Sequence, residues 1–149
     1  MTNFLVVIED NRGSVHRMSK EAIAGAQNLD GNVTALVLGA NAESLAQELS
    51  SVEIDKTLIV NHDMVLTYNS DGYTEVVTKV IQSIDPDVII AGHSYQTRDF
   101  MPRVSARLDI PFISDVTMVN GGNYTKQVLN AKLNCTISSS SEKIILSFQ

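Results

Sequence analysis

The sequence predicts an α/β fold in three layers: a mostly parallel sheet with helices on both faces, closed by antiparallel strands at the C-terminal end. Three observations predict it. Short apolar runs at 4–8, 33–38, 57–60 and 88–91, interrupted only by Thr34 and Thr57, read as strands, the continuous run at 4–8 as one covered on both faces. Between them, apolar residues recur at helical spacing, and this alternation of strand and helix is how parallel strands joined by crossovers read. In the last third the pattern changes from apolar runs to strict alternation, as in strands with one wet face.

The first strand begins almost at the N-terminus, in MTNFLVVIED. Asn11-Arg12-Gly13 makes a turn, and Ser19 is placed to cap a helix whose inner face is Ala22, Ile23, Ala26 and Leu29. Asp30-Gly31-Asn32 ends that helix before the second strand. Asn41 is the expected cap of a short helix with Ala42, Leu45, Ala46 and Leu49 on one face. After the third strand comes the most regular helix, with Tyr73, Val76, Val77, Val80 and Ile84 in step, stopped by Asp85-Pro86. The fourth strand leads into AGHSYQTRDFMPR, residues 91–103, which opens a helix that turns Met101, Val104 and Leu108 inward. Pro111 precedes a further apolar run over 112–119. Leu129, Ala131, Leu133, Cys135 and Ile137 then alternate with polar neighbours, predicting one strand over 129–137. The serine run at 138–141 predicts a hairpin turn into a last strand over 143–148. With no repeat, long linker or second domain in view, residues 1–149 read as one domain.

Composition narrows function by exclusion. The net charge of −6 repels phosphate backbones and disfavours nucleic-acid binding. No apolar run approaches the roughly 20 residues that a membrane crossing needs, so no membrane insertion is expected. The N-terminus has neither the basic flank nor the cleavage site of a secretory signal. Cys135 is the only cysteine, so no disulfide forms within the chain; the expected compartment is the cytoplasm, with that thiol in the core.

In an open α/β sheet, ligands sit beyond the carboxyl ends of the strands. Three loops qualify here, at 9–12, 39–41 and 92–98. The third carries the most chemistry. Gly92, His93, Ser94, Tyr95, Gln96, Arg98, Asp99 and Arg103 form the candidate cofactor-binding or interface site. A plainer reading makes the stretch only a helix start, with Asp99 or Thr97 as cap, Pro102 in the first turn, and Arg103 and Arg107 solvated. A phosphate cradle fits poorly, because no glycine recurs between Gly92 and Gly121. Ser94 directly follows His93, so the two side chains are expected to point apart, and no G-x-S-x-G elbow occurs. A hydrolase built on His93 with Asp99 or Asp115 is the weakest reading. His16, His62 and His93 lack metal-ligand spacing, and Glu9, Asp85, Asp87 and Asp115 read as solvated charge near strand ends. No catalytic or metal-binding residue is assigned.

The order of these segments resembles the start of electron transfer flavoprotein alpha subunits. FLVVIED, a basic turn and helix, then VTALVLG are similar to the family's opening. DVIIAGHSYQTRDFMPRVSARLDIPFISDV, residues 87–116, is similar to its apolar strand, Gly, small polar loop, Arg-Asp, Pro-Arg helix and downstream Ser-Asp-Val. Gly92, Ser94, Arg98, Asp99, Pro102, Arg103, Arg107, Leu108, Asp115 and Val116 carry the match, and residues 124–149 look like the closing strands. Thr97, where many members have Gly, and the bulky Tyr95-Gln96 depart from it.

The resemblance implies a Rossmann-like, adenine-nucleotide-hydrolase-like fold and the role of an N-terminal domain. Such a domain is not an enzyme; it supplies scaffold and subunit interface for flavin-mediated electron transfer. A heterodimer with an electron transfer flavoprotein beta-like subunit is implied. FAD is implied too, held mainly by a C-terminal domain absent from this sequence, so this chain itself binds it in part or not at all. On this reading Arg98, Asp99 and Arg103 organise the 93–98 loop through charge-assisted hydrogen bonds. The alternative is a stand-alone small adenine-nucleotide-binding module of universal-stress-protein-like fold, whose ATP-binding members use a glycine-rich loop that is missing here.

Overall fold

The runs at 4–8, 33–38 and 88–91 become central strands of one eight-stranded sheet, where both faces find cover, whereas the run at 57–60 becomes an edge strand and leaves Ile59 half exposed. A computed structural model describes the whole chain, Met1–Gln149. In order, it contains β1 (Thr2–Val7), a small hairpin of β2 (Asp10–Asn11) and β3 (Ser14–Val15), α1 (Arg17–Gln27) and β4 (Gly31–Leu38). Then come α2 (Ala42–Leu49), β5 (Lys56–Val60), a 3-10 turn at Asp63–Val65, α3 (Ser70–Ile84), β6 (Val88–Gly92) and α4 (Tyr95–Leu108). The chain closes with β7 (Phe112–Asn120), β8 (Asn123–Val128), β9 (Leu133–Ser138) and β10 (Ile144–Phe148). No helix is long and apolar enough to cross a membrane.

The strand order is β5-β4-β1-β6-β10-β7-β8-β9. Pairing is parallel from β5 through β7 and antiparallel from β7 to β9. Two apolar cores lie on opposite faces. One joins Ile23 and Ala26 of α1 and Leu45 and Leu49 of α2 to Phe4, Val6 and Val37. The other joins Val77 and Ile81 of α3 and Phe100, Met101 and Val104 of α4 to Leu5, Leu36 and Ile89. The α/β class, the mostly parallel sheet and the helices on both faces are therefore as predicted. From β1 the chain first winds outward through α1, β4, α2 and β5, then returns through α3 to lay β6 on the other side of β1. The crevice between β1 and β6 is thus the switch point of the sheet, where such folds hold their ligands.

Several local expectations are corrected. The strand expected over 129–137 is broken by a turn: Leu129, Asn130 and Ala131 all have positive φ, and only Leu133–Ser138 is strand. The serine run is not a hairpin turn. Beyond it, β10 leaves β9 and inserts in parallel between β6 and β7. Its first four residues are buried, so IILSF is an unbroken run covered on both faces, like the other central strands. Cys135 lies half-buried on the edge strand β9 and not in the core. The inner stripe of α3 runs through Tyr73, Val77 and Ile81, leaving Ile84 exposed.

Candidate functional site

The carboxyl ends of β1 and β6 bring their following loops together, and a single carboxylate joins them. Glu9 Oε1 accepts a hydrogen bond from Ser94 Oγ at 2.5 Å, and Glu9 Oε2 lies 3.5 Å from His16 Nε2. The Glu9 amide donates to Ser19 Oγ at 2.8 Å. Ser94 is the N-cap of α4, its hydroxyl accepting the Thr97 amide at 3.1 Å. His16 is the N-cap of α1: its Nδ1 accepts the Met18 amide at 3.1 Å, which leaves the ring proton on Nε2, toward Glu9. Glu9 therefore touches the caps of two helices lying on opposite faces of the sheet, where the positive ends of both helix dipoles favour an anion. It is not a solvated surface charge.

The same bonds correct the expected caps. Ser19 does not cap α1; it is buried in the first turn of that helix, where its oxygen satisfies the Glu9 amide. Neither Thr97 nor Asp99 caps α4. The helix starts earlier, at Tyr95, so Pro102 falls in its interior rather than its first turn. Pro102 is tolerated because it is exposed, where water can serve the Arg98 carbonyl that loses its helical partner. Asn41 precedes α2 as expected but makes no cap bond; its Nδ2 donates instead to Asp10 Oδ2 at 2.7 Å, tying the β4 loop to the β1 loop.

Above Glu9 opens a cleft of about 580 Å³. His16 and Met18 form one wall; His93, Ser94, Tyr95, Gln96 and Arg98 form the other. Gly92 lies beneath it, in close contact with the backbone of Met18. Six of the eight candidate residues thus gather at one place. The remaining two do not. Asp99 turns away to accept the Tyr68 hydroxyl at 2.5 Å. Arg103 binds Asp71 of α3 at 2.6 Å, and Arg107 likewise binds Glu75 at 2.9 Å. Arg98, Asp99 and Arg103 consequently do not organise the loop together. On a helix, successive residues fan round the axis, so neighbours in sequence serve different faces: Asp99 and Arg103 turn toward α3 and its approach, while Arg98 alone faces the cleft. The sequence also missed His16, Met18 and Ser19. A polar residue one turn into the helix after β1 was the available signal, since a parallel sheet places that helix beside the β6 loop.

His93 closes the far end of the cleft. Its Nδ1 lies 2.9 Å from Ser147 Oγ, which also accepts the Asp115 amide at 2.9 Å; the Ser147 proton is therefore free to bridge to an unprotonated Nδ1. Burial lowers the His93 pKa; Asp115 opposes this, while Arg98 and Lys126 reinforce it. The unfolded chain then binds the proton more readily than the folded one. Stability should be full above the ordinary histidine range near 6.5 and fall as the pH drops through it toward the lowered folded value. Urea unfolding of His93→Gln at pH 7.5 and pH 5 should show a smaller loss on acidification than the parent. An equal loss in both would place the titration elsewhere.

A family model described as Electron transfer flavoprotein domain matches residues 4–149. The chain is 35% identical over 134 residues to the electron transfer flavoprotein subunit alpha of Bacillus subtilis (strain 168), a match covering 86% of the chain and 41% of that protein. It is 23% identical over 149 residues to the electron transfer flavoprotein subunit alpha of Syntrophomonas wolfei, covering 97% of the chain and 47% of the relative. Against the acryloyl-CoA reductase electron transfer subunit beta of Anaerotignum propionicum it is 28% identical over 116 residues, covering 75% and 32%. The chain thus spans less than half the length of each of these relatives.

Proposed function

The chain belongs to the electron transfer flavoprotein family, and from that premise we propose that it is a non-catalytic subunit-interface domain. It corresponds on this reading to the N-terminal part of an alpha subunit, with residues 1–149 acting as one domain. It pairs with a beta-like subunit and works in flavin-mediated electron transfer in the cytoplasm, beside other domains or chains that hold most of the FAD.

The observation that carries the reading is the Glu9 carboxylate spanning the caps of α1 and α4. At a switch point, a nucleotide's phosphates meet helix N-termini. Here the chain's own anion occupies both, so an incoming phosphate would have to displace a hydrogen-bonded carboxylate and remain beside it. This disfavours the adenine-nucleotide module and leaves to the outer wall, His93 to Arg98, any flavin contact this chain makes. A non-catalytic role is supported by the hydroxyls: Ser94 is bonded to a carboxylate rather than a histidine, and Ser147, which does meet His93, is fully buried.

Capture of the chain from its own cells tests the proposal. Recovery with a beta-like subunit, identified by mass, and with a flavin absorbance is the expected result. Recovery alone and colourless, with calorimetric binding of AMP or ATP to the isolated chain, would overturn it in favour of the nucleotide module.

A further inference from the structure

Arg17, Arg103 and Arg107 each find a carboxylate, at Glu21, Asp71 and Glu75. Arg98 does not. It is exposed at the mouth of the cleft, with its guanidinium carbon 5.6 Å from the centroid of the Tyr95 ring. That ring is itself 88% exposed. The carboxylates nearest in the chain are engaged elsewhere: Glu9 with Ser94 and His16, and Asp99 with Tyr68. A second cation, Lys126 of β8, reaches Ser114 Oγ at 3.2 Å. At this end of the cleft Arg98 and Lys126 stand near His93, as does the Asp115 carboxylate.

A guanidinium stacked on an aromatic ring keeps its planar fork pointed and loses little freedom when a carboxylate meets it in two-point contact. Exposed Tyr and Arg held together in this way are the residue types that dominate the energetics of protein interfaces. A phosphate fits less well, since it brings more negative charge into a cleft that already contains Glu9. A single carboxylate approaching from the solvent side reaches Arg98 first and sets its neighbouring residue against Tyr95.

We propose that the Tyr95–Arg98 pair anchors the subunit contact, receiving an acidic side chain from a protruding segment of the partner subunit. The inference rests on the reading of this chain as a subunit domain and adds the chemistry of the partner: a carboxylate next to an apolar residue.

The test is calorimetric association of the chain with the beta-like subunit of the same organism at low and high salt. The variants are Arg98→Ala, Arg98→Glu, Arg98→Lys and Tyr95→Ala, each first shown by thermal melting to fold as the parent does. Arg98→Ala and Tyr95→Ala should each weaken association roughly tenfold or more. Arg98→Glu should weaken it further, Arg98→Lys should restore part of it, and salt should weaken the parent more than Arg98→Ala. Unchanged affinities would put the contact elsewhere and sink the inference while the subunit reading stands. No association of the parent chain would overturn the subunit reading and this inference with it. If Arg98→Ala assembles normally but loses binding of FAD or AMP, the cation serves a phosphate, and the inference is wrong.

Discussion

Phe100→Ala is expected to destabilise the chain by about 3–5 kcal/mol, the range for removing a large aromatic from a packed core. Phe100 is the inward residue of the second turn of α4 and is almost fully buried. Its ring meets Tyr73 edge-on at 5.5 Å between centroids, and Tyr73 in turn meets Tyr68 at 4.8 Å. The truncation removes the transfer energy of the ring, leaves a cavity, and takes one corner from the triangle of rings it forms with Tyr73 and Tyr68. The cavity opens at a sensitive place, since Phe100 also lines the floor below Glu9 and Ser94. Urea unfolding should show a lower midpoint with an unchanged slope. A loss under about 1 kcal/mol would mean that α4 collapses freely onto the sheet, and the account of a closely packed floor would be wrong.

Gly92→Ala should cost about 1–3 kcal/mol by overpacking. A Cβ at this position would lie 2.6 Å from Met18 Cβ and 3.0 Å from both the carbonyl carbon and oxygen of Met18. Two of those atoms are backbone, so no rotamer change relieves the contact; the first turn of α1 has to move. That turn carries the His16 cap and the His16–Glu9 contact, so the strain is delivered directly to the cleft. The lower entropy of the unfolded alanine chain offsets about 0.4–1 kcal/mol, which keeps the net effect moderate. Thermal melting should report the loss. Faster hydrogen exchange at the Met18 amide, the donor to His16 Nδ1, should report its location. A stabilised variant with unchanged exchange would show that α1 and β6 are not in tight register here.

The four surface charges of the α3–α4 seam work on a different scale. Arg103–Asp71 and Arg107–Glu75 are exposed pairs, and Lys79 and Arg107 hold the Glu75 carboxyl below its usual range. Exposed pairs of this kind contribute little net stability, so they align α4 on α3 rather than hold it there. The burial of Phe100, Met101 and Val104 does that.

The amino-acid sequence by itself determined the elements of the parallel half and the loop at which the cleft would form. Unbroken runs such as Phe4 to Ile8 and helical stripes such as Ala22, Ile23 and Ala26 are local patterns, and their alternation along the chain matches the order of β1, α1 and β4. The family was legible for the same reason, through Gly92, Ser94, Arg98, Asp99 and Pro102 at their spacing. Period alone misled where two different structures share it: the alternation of 129–137 continues through a turn, and a serine run before a strand does not say which strand comes next to it. What only the tertiary structure decided is who meets whom across the strand ends. Glu9 and Ser94 are 85 residues apart and share a hydrogen bond because β1 and β6 are neighbours at the switch point. Asp99 is next to Arg98 in the chain yet points to Tyr68, because a helix turns each successive side chain by about 100°. Local pattern is set by short-range sterics and burial, whereas the charge state and partners of a site are set by contacts between segments that no local pattern encodes.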